Sequence, residues 1–430
     1  MKKYIFFVVG VMYTLLSHTA YAIDLNKSDA NIIGHVLEKK TGEHLSYMTV
    51  ALKGTTIGTM TDGTGHYFLK NLPEGEFTLS VSAVGYKPQE RKVILKRGKT
   101  LEENFELEED MVALDGVVVT ANRNETARRL APTLVKVVTP KLFDMTNSHT
   151  LSQGLVFQPG VRVENDCQNC GYSQVRINGM DGKYTQILID SRPIFSALAG
   201  VYGLEQIPAN MIERVEVVRG GGSALFGSSA IAGTVNIITK EPLRNSGSFA
   251  HSISNFDGSG SFDNNTTLNL SLVSSDNKMG AYIYGQNRHR SAWDSNGDGF
   301  SELPKLKNQT VGVNAYYRLS PYSKLNLEYH HMEEFRRGGN RFDLPPHIAE
   351  DANLNGSGEP GLVEQIEHSI NTGGLKFSAF SKDQKHSFNA YASAQHIVRD
   401  SYYSAYGHTT DFTGVLGAQY IYHFDKLFFM

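Results

Sequence analysis

Apolar and polar residues alternate along the second half of the chain, from about residue 246 onward. A period of two is the pattern of β-strands that turn one face toward an apolar environment. The pattern predicts about eight strands of roughly ten residues each, the length that a tilted transmembrane strand needs. The clearest apolar series are Leu268/Leu270/Leu272, Val311/Val313/Ala315/Tyr317/Leu319, Leu325/Leu327/Tyr329, Leu375/Phe377/Ala379 and Phe412/Gly414/Leu416/Ala418/Tyr420/Tyr422.

The links between these strands alternate in length. Short links fall at 275–278, 320–323 and 381–385, and long links fall at about 290–308 and 334–367. Transmembrane β-barrels have short turns on the periplasmic side and longer loops outside. A soluble β-sandwich also shows apolar alternation, but it lacks this regular difference in link length. The pattern therefore favours antiparallel barrel strands over 246–430.

A different pattern precedes the barrel-like half. An alternating strand with apolar Ile212, Val215 and Val217 runs into Arg219 and the glycines of 220–222, and a β-branched strand follows. Glycine runs let backbone approach backbone or a ligand where a Cβ would clash. A phosphate-binding glycine loop is the competing interpretation, but no lysine–serine pair or long helix follows, as a nucleotide loop requires.

Short strand-like runs fill the region from 31 to 108. Runs at 49–55 and 77–82 are separated by glycine turns at 61–65 and 72–75. Turns every ~8–12 residues predict a β-sandwich. The region shows neither zinc-ligand spacing nor a nucleophile constellation, so we expect no enzyme here.

The first residues have the features of a secretory signal peptide. Lys2 and Lys3 precede an apolar run at 5–12, and Ala20-Tyr21-Ala22 supplies a cleavage site, so residues 1–22 are excluded from the fold. No cysteine follows the cleavage point, so we do not expect a lipoprotein. The run is too short to span a bilayer of ~30 Å, so membrane insertion would require a closed barrel.

Composition agrees with an exported β-protein. The chain has 41 basic and 44 acidic residues and a net charge of −3, so it lacks the excess of positive charge that is typical of nucleic-acid-binding proteins. The 41 glycines, 21 tyrosines and 22 phenylalanines suit many short strands and aromatic girdles at a membrane surface. A length of 430 residues predicts several domains.

The segment 211–240 resembles the end of the plug domain of TonB-dependent outer-membrane receptors, through IERVEVVRG, SALFG and VNIITK as they stand here. The segments 151–160, 175–182 and 186–193 also resemble plug sequences, although Asn178-Gly179 and Ser191-Arg192 depart slightly from the family pattern. The resemblance implies a mainly β fold. It has an N-terminal β-sandwich at 31–108, an α/β plug domain at 122–241 and the first strands of a truncated transmembrane antiparallel β-barrel at 246–430.

A barrel of eight strands is filled by its own side chains, and family members close with about 22 strands. We therefore expect a fragment of a larger receptor. The N-terminal region resembles the carboxypeptidase-regulatory-like domain that precedes many plugs, through Gly34 and the segments 61–63, 72–75 and 84–86. Its expected role is periplasmic interaction or spacing.

The segment 114–121, Leu-Asp-Gly-Val-Val-Val-Thr-Ala, resembles a TonB box. An extended segment of this kind can add as an edge strand to a partner sheet. The alternative is an ordinary strand of the preceding sandwich. The residues expected to bind TonB are Leu114, Asp115, Val117, Val118, Val119 and Thr120.

The resemblance also implies a location and partners. The location is the outer membrane of a Gram-negative bacterium, with the sandwich and the box in the periplasm. The partners are TonB with its ExbB/ExbD energising complex, a small-molecule nutrient, outer-membrane lipid and a surface lipoprotein, and no nucleic acid.

Charged positions in the alternating strand that ends at Arg219 match family positions that tie the plug to the barrel wall. These are Glu213, Arg214 and Arg219. A charge inside a barrel lumen is costly unless it is paired. A solvated strand edge is the alternative interpretation.

The two cysteines, Cys167 and Cys170, admit three interpretations. A redox pair needs a following helix in a βαβ setting, which is not seen. A zinc site needs two more ligands nearby. A local disulfide is the default in an oxidising envelope, and it is the interpretation that we prefer.

Two long loops carry the pattern D-x-N-x-[DN]-G-x-x-E. Alternating oxygen side chains around a glycine turn suit calcium, although the spacing falls short of a full EF-hand loop. A polar surface turn is the alternative. No cofactor is otherwise required. The candidate calcium ligands are Asp294, Asn296, Asp298, Glu302, Asp351, Asn353, Asn355 and Glu359.

Active import of a scarce, bulky nutrient is the function that the resemblance implies. Iron–siderophore, haem and cobalamin are the candidate ligands, with haem or cobalamin favoured over a glycan. His289, His330, His331 and His347 lie in or near the expected external loops and are compatible with haem, although such histidines are more often ordinary loop residues. An outer-membrane signalling or adhesion protein is the alternative, while an enzyme would need a catalytic constellation that the sequence lacks.

Overall fold

The structure is a computed structural model. The signal peptide, Leu114, Asp115, Val119, Thr120 and Cys170 lie outside the described residues, and so does the expected Cys167–Cys170 disulfide. The structure describes residues 28, 30–45, 48–62, 64–83, 85–109, 117–118, 126–127, 135–146, 148–167, 172–193, 208–227, 229–383 and 385–422.

The N-terminal region is a β-sandwich, as its turn spacing predicts. One sheet has the order β4-β1-β7, with β8 also paired to β1, and the other has the order β3-β2-β5-β6. Alternate residues such as Ile32, Val36, Leu79 and Val81 are fully buried between the sheets. The strands are β1 (Asn31–Glu38), β2 (Thr49–Leu52), β3 (Gly58–Met60), β4 (His66–Leu69), β5 (Gly75–Ser82), β6 (Gln89–Leu95), β7 (Thr100–Glu102) and β8 (Phe105–Leu107).

A two-residue strand, β9 (Val117–Val118), pairs antiparallel with β10 (Thr126–Ala127). This small hairpin lies between the sandwich and the plug along the chain. It contains the two residues of the expected TonB box that the structure describes.

The plug is a five-stranded mixed sheet of order β11-β16-β17-β14-β15 with a separate hairpin, β12-β13. None of the helices in the described residues is long and apolar enough to cross a membrane. The strands are β11 (Val135–Val138), β12 (Val161–Cys167), β13 (Tyr172–Ile177), β14 (Thr185–Ile189), β15 (Arg192–Pro193), β16 (Ile212–Arg219) and β17 (Gly233–Thr239). The helices are α1 (Pro140–Met145), α2 (Leu151–Leu155) and α3 (Ser223–Phe226), with 3₁₀ turns at Gly182–Tyr184 and Ala209–Met211.

Glycine permits the close approach of two central plug strands. A Cβ at Gly233 would lie 2.3 Å from the carbonyl oxygen of Val218, and Gly220 has a φ of +99° at the end of β16. The conformation at Gly220 is one that residues with a Cβ rarely adopt. The predicted strand–glycine–strand pattern therefore reflects backbone packing inside the plug.

The second half of the chain forms one antiparallel sheet of eight strands in chain order, as the alternation predicts. A helix, α4 (Pro346–Glu350), lies in the long link before the sixth strand. The strands are β18 (Ser246–Asn255), β19 (Phe262–Val273), β20 (Met279–Arg290), β21 (Lys305–Ser320), β22 (Ser323–Gly339), β23 (Val363–Phe380), β24 (His386–Tyr403) and β25 (Tyr406–Tyr422).

The predicted strand length was too short for most of this sheet. β18 has 10 residues, but β23 and β24 have 18 each. Since ~9–11 residues cross the bilayer, the longer strands continue beyond it. The long links correspondingly shrink to 291–304 and 340–362, and the link at 404–405 breaks the expected alternation because it is short.

The two faces of the eight-stranded sheet differ in polarity. Apolar side chains such as Phe249, Leu268, Phe412 and Leu416 are exposed on one face, where Leu416 keeps 84% of its surface accessible. The plug packs on the opposite face, where Tyr282 and Tyr284 join the hydrophobic core of the plug. The predicted apolar series is therefore the outward, lipid-facing side of the sheet.

The sandwich contacts the short-turn side of the sheet. The Thr56 amide donates to the carbonyl oxygen of Pro321 at 2.8 Å, and Arg318 Nε donates to the carbonyl oxygen of Thr56 at 2.8 Å. Tyr322 packs against the sandwich core. The sandwich therefore lies on the side where the short turns predict the periplasm.

Candidate functional site at the plug–barrel interface

The plug meets the inward face of the barrel strands through polar contacts at several heights. Asn210 Nδ2 donates to Asn269 Oδ1 at 3.0 Å, and the hydroxyl of Tyr282 donates to the carbonyl oxygen of Asn210 at 2.9 Å. Asn314 Nδ2 donates to Thr239 Oγ1 at 3.0 Å. These bonds join plug strands and turns to three different barrel strands, so they fix the position of the plug against the barrel sheet.

A buried ion pair lies at the centre of this interface. The guanidinium of Arg192, in plug strand β15, donates to the carboxylate of Glu328 in barrel strand β22. Asp190 is a second carboxylate partner, with Oδ2 3.6 Å from Arg192 Nη2. The side chains of Arg192 and Glu328 keep only 9% and 16% of their surface accessible. Buried charges of this kind require their partners, because an unpaired one carries the full desolvation cost.

The surroundings of Arg192 favour its charged form. Burial alone would lower the pKa of the guanidinium, but the carboxylates of Glu328 and Asp190 outweigh burial and raise that pKa above its ordinary value. Arg192 therefore keeps its charge while the carboxylates of Glu328 and Asp190 stay beside it.

A strained turn aims Arg192 at the barrel wall. Asp190 and Ser191 have φ values of 46° and 65°, in the left-handed region that residues with a Cβ rarely adopt. Thr239 donates to the Asp190 carboxylate from its amide at 3.0 Å and from its hydroxyl at 2.7 Å. The Ser191 amide donates to Asn236 Oδ1 at 2.9 Å. Neighbouring strand β17 thus holds the turn that presents Arg192.

Gly374 in barrel strand β23 makes room for the pair. A Cβ there would lie 2.4 Å from Arg192 Nη1 and 2.5 Å from Glu328 Oε1. Sequence reasoning did not select Arg192, Glu328 or Gly374. The available signals were the departure from the family pattern at Ser191-Arg192 and a glycine pair, 373–374, in the middle of a long strand.

The charged residues that the sequence selected lie on β16. Arg214 Nε pairs with Oε1 of the fully buried Glu216 at 2.9 Å, within the same strand. Burial raises the pKa of the Glu213 carboxyl, against the opposing effect of the Arg214 and Lys240 cations. The side chain of Arg219 lies over Gly160, because a Cβ there would be 2.6 Å from Arg219 Nη1. A role for Glu213, Arg214 and Arg219 in tying plug to wall stays a prediction.

The first calcium-like loop gathers carboxylates. Asp294, Asp298 and Glu302 each place an oxygen within 4.8 Å of the other two. Their oxygens also accept backbone amides, with the Gly297 amide donating to Asp294 Oδ1 at 2.6 Å. Asn296 Oδ1 accepts the Asp298 amide at 3.0 Å. Calcium binding in this loop stays a prediction.

The second calcium-like loop closes on itself by hydrogen bonds. Asn355 Nδ2 donates to the carbonyl oxygen of Glu359 at 2.8 Å, and the Asn353 amide donates to Asp351 Oδ1 at 2.8 Å. In the described part of the chain, the residues of this loop form no carboxylate group like that of the first loop. Calcium binding here also stays a prediction.

The histidines noted for haem are spread over the barrel half. His289 lies in β20, His330 and His331 lie inside β22, and His347 lies in α4. His331 Nδ1 is 2.9 Å from Asn371 Oδ1, and His347 Nδ1 is 3.0 Å from the Tyr406 hydroxyl. His330 and His331 are therefore strand residues rather than loop residues, which weakens the argument for a haem ligand.

Two protein-family models match the chain. The model described as CarboxypepD_reg-like domain matches residues 32–119, and the model described as TonB-dependent Receptor Plug Domain matches residues 127–234. The first covers the sandwich and reaches into β9, and the second covers most of the plug, including β15 with Arg192.

The chain is also similar to curated transporters and to receptors of known structure. The vitamin B12 transporter BtuB of Vibrio vulnificus (strain YJ016) is 35% identical over 229 residues, which are 46% of this chain and 37% of that protein. The siderophore receptor PirA from Acinetobacter baumannii matches with a TM-score of 0.54 and 20% identity over 68% of this chain and 45% of its own.

A mutant of the ferric enterobactin receptor PfeA from Pseudomonas aeruginosa, in complex with enterobactin, matches with a TM-score of 0.52 and 19% identity, covering 66% of this chain and 46% of its own. At these identities the two structures show a shared fold. The chain spans less than half the length of each of the three proteins.

Proposed function

We propose that this chain, a TonB-dependent receptor of the outer membrane by its matched sandwich and plug domains, imports a corrinoid of the cobalamin class. The observation that carries the transport part is the plug seated against the inward face of the barrel strands by the buried Arg192–Glu328 pair. The observation that supports the ligand is the similarity to a vitamin B12 transporter at 35% identity.

Transport in this proposal requires mechanical work and no covalent chemistry. Ligand binds on the external side of plug and loops. The segment that contains Val117–Val118 then adds as a strand to a TonB sheet, and ExbB/ExbD supply the energy. Force on this segment displaces the plug, which must separate Arg192 from Glu328. A surface lipoprotein that delivers ligand is a further partner in the proposal.

Other ligands have weaker support from this chain. The siderophore receptors are similar at 20% identity or below, so they inform the fold and not the ligand. The histidines considered for haem are divided between strands and a helix. No observation on the described residues favours a glycan.

The test uses cells that lack their own cobalamin receptor and express this gene. Val118→Pro should abolish uptake of radiolabelled cyanocobalamin and leave its surface binding unchanged, because proline removes a strand donor and fixes φ. Val118→Ala is the matched control, since it keeps the amide and should transport normally.

Three outcomes would contradict the proposal. Unchanged uptake in Val118→Pro would remove the coupling role of 114–121. Absence of cyanocobalamin binding by the parent chain would remove the ligand. Full displacement of labelled cobalamin by haemin or a ferric siderophore at lower concentration would assign the site to that other ligand class.

A further inference from the structure

Three histidines meet on the outer surface of the N-terminal sandwich. His35 in β1 lies directly opposite His66 in β4 in the antiparallel register. His44 reaches the same place because it bridges to Leu37 on β1. The ring centroids are 5.3 Å apart for His35 and His44, 5.8 Å for His35 and His66, and 5.0 Å for His44 and His66.

The backbone is shaped to bring His44 into this cluster. Gly65 precedes His66 with a φ of +77°, and a Cβ there would lie 2.8 Å from the Cβ of His44. Any larger residue at 65 would push His44 away from the other two rings. The His44 and His66 side chains are exposed and His35 is half-buried, so the cluster is open to solvent.

These separations match a metal with three imidazole ligands. With a metal–nitrogen distance of about 2.0–2.1 Å and tetrahedral angles, neighbouring ring centroids stand about 5 Å apart. The nitrogens of the three rings have not converged, since among the described residues only the Asp294, Asp298 and Glu302 group has ligand atoms all within 4.8 Å of one another. Metal binding therefore requires the imidazoles to turn, and χ2 of histidine is a soft torsion.

A second observation fixes which nitrogen of His66 would bind. The Thr64 hydroxyl donates to Asp62 Oδ1 at 2.7 Å, so its single proton is committed there. The Thr64 oxygen lies 3.1 Å from His66 Nδ1 and therefore accepts the proton of that nitrogen. The lone pair of the neutral ring is then on Nε2. Metal-ligating histidines are oriented in this way by a hydrogen-bonded partner of the other nitrogen.

Asp62 completes this outer layer. Its carboxylate accepts the Thr64 hydroxyl, the Thr64 amide at 2.8 Å and the His66 amide at 3.0 Å. A carboxylate is an acceptor, so Asp62 holds the Thr64 hydroxyl with its proton directed toward Oδ1. These hydrogen bonds from Asp62 through Thr64 to His66 therefore orient the His66 ring before a metal binds.

We propose that His35, His44 and His66 form a binding site for a divalent transition-metal ion, with Zn²⁺ as the reference ion. Imidazole nitrogens suit Zn²⁺, Cu²⁺ and Ni²⁺ rather than Ca²⁺ or Mg²⁺. Three protein ligands leave the fourth position to water or to a ligand from outside. This site is separate from the plug–barrel interface and does not depend on the transported nutrient.

The test titrates Zn²⁺ into the full chain, purified in detergent, against a chromophoric chelator. Asp294→Asn serves as the background, so that the carboxylates of the first external loop do not contribute. His44→Ala and His66→Ala should each abolish one tight binding site. His251→Ala is the matched control, because His251 is an exposed histidine that contacts only Thr266 among the hydrogen bonds described for it, and it should bind as the parent does.

Thr64→Val gives a second, milder arm that keeps all three ligands. It should retain the stoichiometry and weaken Zn²⁺ binding by about 10–100-fold, the usual loss for an outer-layer partner. Co²⁺ substituted for Zn²⁺ should give the intense visible absorption of a four-coordinate ion, and His66→Ala should lose it. Equal stoichiometry and affinity in the parent, His44→Ala and His66→Ala would overturn the proposal.

Discussion

Replacing Arg192 by methionine should loosen the plug more than any other single change at the interface. Methionine keeps the length of the side chain but leaves the Glu328 carboxylate without its guanidinium in a site where only 16% of that side chain is accessible. Breaking a buried pair by removing one partner costs about 3–5 kcal/mol. At about 1.4 kcal/mol per decade, local opening of the plug should become roughly 100- to several-thousand-fold more frequent.

Hydrogen exchange measures this opening directly, because amides of the plug strands exchange when the plug leaves its seat. The peptides to follow by mass spectrometry are those of 185–193 and 233–239. Lys324→Met is the matched control, since it removes the Lys324–Glu241 pair at the edge of the same interface. In this pair the Lys324 side chain is 16% accessible and the Glu241 side chain is 46% accessible, so the carboxylate that Lys324→Met leaves behind stays in contact with water. A pair whose remaining charge is still hydrated contributes about 0–1 kcal/mol, so exchange should rise by at most about fivefold.

The double variant Arg192→Met/Glu328→Gln separates the pair from general disruption. Removing both charges eliminates the unpaired carboxylate, so the double variant should exchange more slowly than Arg192→Met alone. Equal exchange in Arg192→Met and Lys324→Met would refute the central role of this pair. It would also be refuted if the increase in plug exchange in the double variant equalled the sum of the increases, in free energy, in the two single variants.

Three further predictions concern neighbouring features. Gly374→Ala should accelerate plug exchange, but less than Arg192→Met does, because the new Cβ would lie 2.5 Å from Glu328 Oε1, which is the end of a flexible side chain; Gly414→Ala, whose nearest atom is 3.9 Å away, should have no effect. Because burial raises the pKa of Glu213, the unfolded plug ionises first, near pH 4.3, and stability should fall as the pH rises from there to the folded-state pKa. Glu213→Gln should remove this slope in urea-unfolding midpoints. If the first external loop binds calcium, a chelator should increase proteolysis at 291–304 in the parent and not in Asp294→Asn/Asp298→Asn; no chelator effect on the parent would leave this loop a polar turn.

The pattern of side chains predicted which face of each barrel strand points outward, because that depends only on the two-residue period of a strand. Leu268, Val311 and Leu416 all lie on the exposed apolar face, as the alternation indicated. The pattern did not predict strand length, because the residues that continue past the bilayer are paired by backbone hydrogen bonds, which carry no side-chain signature. The two-residue turn at 404–405 was also missed. Ser404 takes a φ of 56° there, a conformation that usually shows itself in a sequence by glycine or asparagine.

The interface was harder to predict than the fold. Arg192 and Glu328 are 136 positions apart in the chain. Periodicity places each on a face but does not say which residue stands opposite. That choice depends on how plug and barrel are seated together, and it is set by the Asp190–Ser191 turn and the space above Gly374. The sandwich showed the same limit, since His35, His44 and His66 come together only through strand register and a bridge.

The attachment of the sandwich to the barrel determines where tension would travel. Thr56 forms hydrogen bonds with Pro321 and Arg318, so the sandwich is attached to the short-turn side of the barrel. When force acts on the chain between the sandwich and the plug, the contacts between the sandwich and the barrel therefore resist it on the sandwich side. The β9–β10 pairing, which has only two residue pairs, would separate first and let the connecting chain extend. The remaining load reaches β11, an edge strand joined to β16 by four residue pairs. An edge strand can be peeled one pair at a time, so the plug would give way from its margin while the central strands still hold Arg192.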